Sequence, residues 1–75
     1  MCLCDTMIHI TDTLDSQTRV ALEDRVRSVE GVIAPRFNPG KNHLLLVAYN
    51  KDKTSAKALL DTVCQQGYQA KIVAI

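Results

Sequence analysis

The sequence predicts an α+β fold of the ferredoxin-like βαββαβ type, a four-stranded antiparallel sheet with two helices on one face. Three observations carry this. The chain runs twice through the same order of strand, polar turn, helix, glycine and strand, once through Gly31 and again through Gly67. Two segments have apolar residues at helical spacing, and they alternate with segments of strand character. Pro35 lies inside the second strand and has no N–H to give to a ladder, which fits a sheet edge. In the usual spatial order of this topology the first and third strands are central, so the second is indeed an edge.

Taken in order, residues 7–11 alternate Ile8 and Ile10 with Met7, His9 and Thr11, the period-two pattern of a half-buried strand. Ile8 and Ile10 face the core and His9 the open side. Asp15 or Ser16 caps a helix over residues 16–30, whose stripe is Leu22, Val26 and Val29 and whose Glu23 is spaced to pair with Arg27. Gly31 stops it in left-handed conformation. Residues 32–37 form the second strand, and Asn38, Pro39, Gly40, Lys41 and Asn42 form a hairpin loop. Residues 43–49 are too apolar for a strand with one wet face: Leu45 and Val47 point inward while Leu44, Leu46 and Ala48 point the other way. Thr54 or Ser55 caps a second helix over residues 55–66, with Ala56, Leu59, Leu60 and Val63 buried and Gly67 at its end. Residues 69–75 close the sheet.

The chain is expected to be a single domain over residues 1–75, with residues 1–5 as an N-terminal extension carrying Cys2 and Cys4. So small a core is marginal, and burial against a partner matters more than usual. With 47% hydrophobic and 23% charged residues the composition argues against intrinsic disorder. The formal net charge of +1 provides no field for a polyanion, which disfavours nucleic acid and anionic membrane surfaces. No apolar run approaches the roughly 20 residues that span a bilayer, and no signal peptide precedes the first strand, so no membrane insertion and a cytoplasmic location are expected.

Arg27 to Val32 (RSVEGV), Val47 to Val63 (VAYNKDKTSAKALLDTV) and Gly67 to Ala70 (GYQA) resemble the heavy-metal-associated domain of soluble copper chaperones, mercury-binding proteins and metal-pump N-termini. The resemblance covers the chain from about Met7 onward. It implies the same fold and a soft-metal, metallochaperone-like role. In that family a Met-x-Cys-x-x-Cys loop after the first strand holds a soft ion between two thiolates. Counted back from Gly31, its methionine falls here on Thr13 and its cysteines on Asp15 and Thr18. None of these is a soft ligand. The family's aromatic residue after the second glycine is present as Tyr68.

Three cysteines cannot all pair within one chain, and free thiols are the default. Cys2 and Cys4, two apart on an extended segment, project to the same side and are the candidate metal ligands. Two sulfurs suffice for Cu(I), with Met1 or Met7 adding a thioether; zinc wants four ligands and hence a second chain, to which Asp5 offers an oxygen. No helix N-terminus or cation stands beside the pair in sequence to lower the thiol pKa. Two Cys-x-Cys pairs from two chains also supply the four thiolates of an iron–sulfur centre. Cys64, at the rim of the second helix's stripe, is expected to be a partly buried structural thiol, and His9 and His43 to be solvated or hydrogen-bonded.

No Ser/His/Asp grouping, phosphate loop or carboxylate pair stands out, so no enzyme activity is expected. The sequence reading is a non-enzymatic protein binding a soft ion, Cu(I), through Cys2 and Cys4. The alternatives are a metal-free interaction or dimerisation module using the apolar sheet face, and a thiol, zinc or iron–sulfur site shared between chains. The partners expected are the metal ion and a protein partner or second copy.

Overall fold

A computed structural model describes residues 2–38 and 40–73. The elements are β1 (Leu3–Ile10), α1 (Ser16–Arg27), β2 (Val32–Asn38), β3 (Lys41–Asn50), α2 (Ala56–Gln65) and β4 (Ala70–Val73). They form a four-stranded sheet of order β2-β3-β1-β4 in which every neighbouring pair is antiparallel. This is the ferredoxin-like arrangement, with β1 and β3 central and β2 at the edge. Pro35 sits opposite Val47 on that edge strand, where its missing N–H breaks no ladder.

The core follows from the strand and helix periods. Ile8 and Ile10 of β1, Leu45, Val47 and Tyr49 of β3, Leu22 and Val26 of α1, and Leu59 and Val63 of α2 form one buried cluster, so both helices cover one face. Leu14, in the turn after β1, closes the cluster at one end. Among the described residues no helix is long and apolar enough to cross a membrane.

Several boundaries differ from the sequence reading. Strand β1 begins at Leu3, so residues 3–5 belong to the sheet. Helix α1 ends at Arg27, because the Ser28 hydroxyl donates to the Arg25 carbonyl at 2.6 Å and the Ser28 amide also turns back into the last turn. Val29 N–H then bonds to the Val26 carbonyl at 3.0 Å and Val32 N–H to Val29 at 3.1 Å, a tightened exit that ends on Gly31 at φ +96°. The expected Glu23–Arg27 pair does not form. Arg27 instead meets Asp24 at 2.7 Å, and the Glu23 carboxylate accepts the Phe37 amide of β2 at 2.9 Å, tying helix to edge strand. In the hairpin, Asn38 pairs with Lys41 and β3 starts two residues earlier than the apolar run. Ile75, expected to extend β4, and Pro39, expected in the hairpin loop, lie outside the described residues.

Candidate functional site

The strand directions put the turn after β1, the start of β3 and the start of β4 at one end of the sheet, and the start of β1, Gly31 and the end of β3 at the other. The two ends differ in chemistry.

At the turn end stand Thr13, Asp15 and Thr18, which align with the metal-ligand positions of the resembling family; all three carry oxygen groups, and Asp15 and Thr18 are engaged in capping the helix. Asp15 is the N-cap of α1: its Oδ1 accepts the Thr18 amide at 2.7 Å. Hydrogen bonds from the Thr18 hydroxyl and then the Thr18 amide, helped by the Arg19 charge, hold the Asp15 carboxyl below the usual carboxylate range. The Arg19 guanidinium reaches back and donates to the Leu14 carbonyl at 2.6 Å, which fixes a positive charge in the turn. Asp12 Oδ2 accepts the Gln69 amide at 2.9 Å and Thr11 N–H bonds to the Gln69 carbonyl at 2.8 Å, clamping the turn to the start of β4 beside half-buried Tyr68. These groups do not fit a soft cation: the donor set is hard, and a guanidinium already sits among it.

The opposite end carries Cys2 and Cys4. Cys4 is opposite Tyr49 in the β1–β3 register, half-buried and packed against the core cluster. Cys2 is exposed, and its carbonyl accepts the Lys51 amide at 2.9 Å, which continues the ladder one residue beyond Leu3 opposite Asn50. Alternation along β1 puts position 4 on the helix side with Thr6, Ile8 and Ile10. The Asn50 amide bonds to the Gly31 carbonyl at 2.8 Å, so Gly31 and Asn50 are the neighbours of this end, as expected. Ala56, in the first turn of α2, packs against the core cluster, as Cys4 does.

Two subsidiary ligand expectations, Met7 and Asp5, and the expected burial of Cys64 are corrected. Met7 and Asp5 alternate to the open face, away from Cys4; Asp5 lines a groove there with Ala34 and Arg36. Met1 lies outside the described residues. Cys64 is exposed on α2, not partly buried, because the helix turns it one position past the buried Val63. Among the described residues no group of three or more His, Cys, Asp or Glu side chains is placed to hold an ion.

The open face is as apolar as the sequence implied. Leu44, Leu46 and Ala48 are half-buried there, and Val73 joins them by pairing with Met7. Asp5 and Arg36 flank Leu46 and Ala48 around a groove of about 280 Å³.

Sequence reading missed one constellation. His9 and His43 stand ring to ring, centroids 5.9 Å apart and planes 21° from parallel. His43 Nδ1 lies 2.9 Å from the Ile10 carbonyl, which can only accept, so that nitrogen carries the proton. His9 Nδ1 is enclosed and has no hydrogen-bond partner among the described residues, a state that costs about 1–3 kcal/mol. Both histidines were visible in the sequence, but only the β1–β3 register, with His9 opposite Leu44, brings them together.

No protein-family model matches the sequence, and no curated protein sequence does either. Solved structures do match. Oxidized MerP from Ralstonia metallidurans CH34 superposes with a TM-score of 0.85 at 16% identity, over 97% of this chain and 100% of that one. The CopZ metallochaperone gives 0.81 at 18% identity, over 91% of this chain and 100% of that one. The N-terminal domain of a potential copper-translocating P-type ATPase from Bacillus subtilis, solved in the Cu(I)-loaded state, gives 0.80 at 24% identity over 91% and 84%. The chain thus has the fold of heavy-metal-associated domains.

Proposed function

We propose that this is a non-enzymatic protein that carries a soft metal ion, Cu(I), between the thiolates of Cys2 and Cys4, with the site moved to the opposite end of the sheet from the turn. The observation that supports the reading is the ladder under the pair. Leu3 opposite Asn50, Cys4 opposite Tyr49 and the 2.9 Å bond from Lys51 to the Cys2 carbonyl make this segment a strand and not a loose tail. Residues two apart on such a strand have Cα atoms about 6.6 Å apart and side chains on one side. Two sulfurs about 2.3 Å from one ion must approach to within about 4.6 Å, which a lean of both side chains supplies. Likeness to MerP, CopZ and the copper-pump domain favours a soft cargo, and thiolates select it. Exposed Cys2 beside half-buried Cys4 leaves the ion open on one side to a partner's ligand.

Because both thiols must lose protons, loading releases protons and weakens as pH falls. The test is metal content after anaerobic Cu(I) loading. The native chain and Cys64→Ser are expected to retain one copper per chain, and Cys2→Ser/Cys4→Ser none; equal retention by all three refutes the assignment. Zinc or an iron–sulfur centre instead requires four thiolates from two chains, and gives one metal centre per dimer.

A second reading has its own observation. Asp5 on β1 and Arg36 on β2 flank the apolar Leu46 and Ala48 of β3, so two copies related by a two-fold axis can bury their open faces and set Asp5 of each against Arg36 of the other. Sedimentation of the metal-free chain tests it. Dimerisation abolished by Leu46→Asp supports a metal-independent interaction module, and a monomer at all concentrations removes it.

A further inference from the structure

We infer that Tyr49 is a specificity-determining residue for the Cys2–Cys4 pair, favouring two-coordinate Cu(I) over four-coordinate Zn(II) by walling the inner side of Cys4. This rests on Cys2 and Cys4 being soft-metal ligands, as proposed above, and adds what rejects the wrong ion. The β1–β3 ladder sets Cys4 directly opposite Tyr49, and the β2–β3 ladder sets Val32 opposite Tyr49 from the other side. The three form one row across β1, β3 and β2 on the helix-facing side of the sheet. Residues directly opposite in such a row have Cβ atoms about 4.5–5.5 Å apart. Side chains on a strand stand roughly perpendicular to the sheet, and a tyrosine ring stands taller than a cysteine sulfur. The ring therefore flanks the Cys4 thiol, near the ~5 Å at which sulfur and an aromatic ring attract.

Burial makes the row a wall. Tyr49 is only 8% exposed and belongs to the core cluster, against which Cys4, Val29, Val32 and Ala56 pack half-buried. Cys2, by contrast, is exposed. Val29, Val32 and Ala56 offer carbon alone, and among the described residues no third His, Cys, Asp or Glu is placed to join the pair. Linear Cu(I) is complete with two sulfurs, whereas Zn(II) requires two further ligands in a tetrahedron. A buried face of carbon supplies neither a donor nor room for water, so tetrahedral closure depends on the open Cys2 side alone. Withholding ligands from the wrong ion discriminates against it without any contact to the right one.

The experiment uses the full chain in a Cys64→Ser background, so that only Cys2 and Cys4 report. Cu(I) and Zn(II) affinities are each measured by anaerobic competition with a chelator. Tyr49→Phe keeps the wall and should keep the native Cu(I)-to-Zn(II) affinity ratio. Tyr49→Leu keeps an apolar core but removes the ring, and should lower the ratio about 10- to 100-fold through tighter Zn(II) binding. Leu59→Ala, a cavity elsewhere in the core, should lower stability and leave the ratio unchanged, which separates specificity from loss of packing. In the metal-free chain, iodoacetamide should alkylate Cys2 faster than Cys4, and Tyr49→Leu should narrow the gap. The inference is overturned if Tyr49→Leu keeps the native ratio, or if Cys4 of the native chain is alkylated as fast as Cys2. A native chain that takes up no Cu(I) refutes the thiol reading and this one with it; an unmoved ratio in a chain that does bind Cu(I) refutes the role of Tyr49 alone.

Discussion

The two ends of the sheet solve opposite problems with the same fold. At the turn end, polar groups in and beside the positions where the resembling family binds metal are paired: Asp15 with Thr18, Asp12 with Gln69, and the Leu14 carbonyl with Arg19. At the other end, Cys2 and Cys4 carry backbone order and leave their sulfurs uncommitted. A turn whose donors are consumed by capping is stable without a ligand. A thiol pair on an ordered strand is stable too, but retains ligand capacity. The difference is that the turn spends its oxygen donors on folding, while the strand end leaves two sulfurs free.

The largest effect is expected where both ends are lost together. Leu59→Ala empties the centre of the shared core and should cost about 3–4 kcal/mol in urea unfolding. Glycine substitutions then distinguish the ends. Gly31 and Gly67 both have φ +96°, but an added Cβ at Gly31 comes within 2.8 Å of the Lys53 Cβ, whereas at Gly67 it meets nothing within 4 Å. Gly31→Ala should therefore cost about 3 kcal/mol and Gly67→Ala about 1 kcal/mol, from the left-handed conformation alone. Equal losses in thermal unfolding would mean that the thiol end is looser than its contacts indicate.

Restoring soft donors at the turn sharpens the contrast next. In a Cys2→Ser/Cys4→Ser background, Asp15→Cys with Thr18→Cys should raise Cu(I) affinity about 10- to 100-fold or more, because thiolates replace hard oxygens beside Tyr68. No gain would show that Arg19, still bonded to the Leu14 carbonyl, bars the turn to cations. Ser55→Ala removes the hydroxyl that accepts the Ala58 amide at 3.1 Å and should cost about 1 kcal/mol.

The smallest effect is one of pH. The folded-state pKa of Asp15 is depressed, so its contribution is present above the unfolded carboxylate value of about 3.9 and is lost as pH falls through the lower folded value. Asp15→Asn, which can still cap the helix, should flatten the loss of stability in acid; an unchanged acid limb would assign that loss to other carboxylates.

Fold class, strand order, edge and helix faces were legible because each rests on a local period or a residue with one steric meaning. Leu22, Val26, Leu59 and Val63 repeat at helical spacing, and Pro35 tolerates only an edge. Helix α1's early end was not legible, since it depends on the Ser28 hydroxyl choosing the Arg25 carbonyl over solvent. The same holds for Glu23, which gave up an intrahelical partner for the Phe37 amide 14 residues away. At the site level, the loss of soft ligands from the turn and the Cys-x-Cys pair were readable as residue types. What packs beside them was readable only in part: the alternation over residues 7–11 already sets Met7 on the face opposite Ile8, but Asp5 is placed on that face only once β1 is extended to Leu3. The His9–His43 pair needed the cross-strand register.

The central claim is that the uncommitted thiols at the start of β1 are the soft-metal ligands. It is tested most directly by anaerobic competition with a chromogenic Cu(I) chelator, comparing the native chain with Cys2→Ser/Cys4→Ser at matched concentration. The account predicts that the native chain withdraws one copper per chain from the chelator while the double variant, still folded by circular dichroism, withdraws none. Equal withdrawal by the two, or none by either, would contradict it.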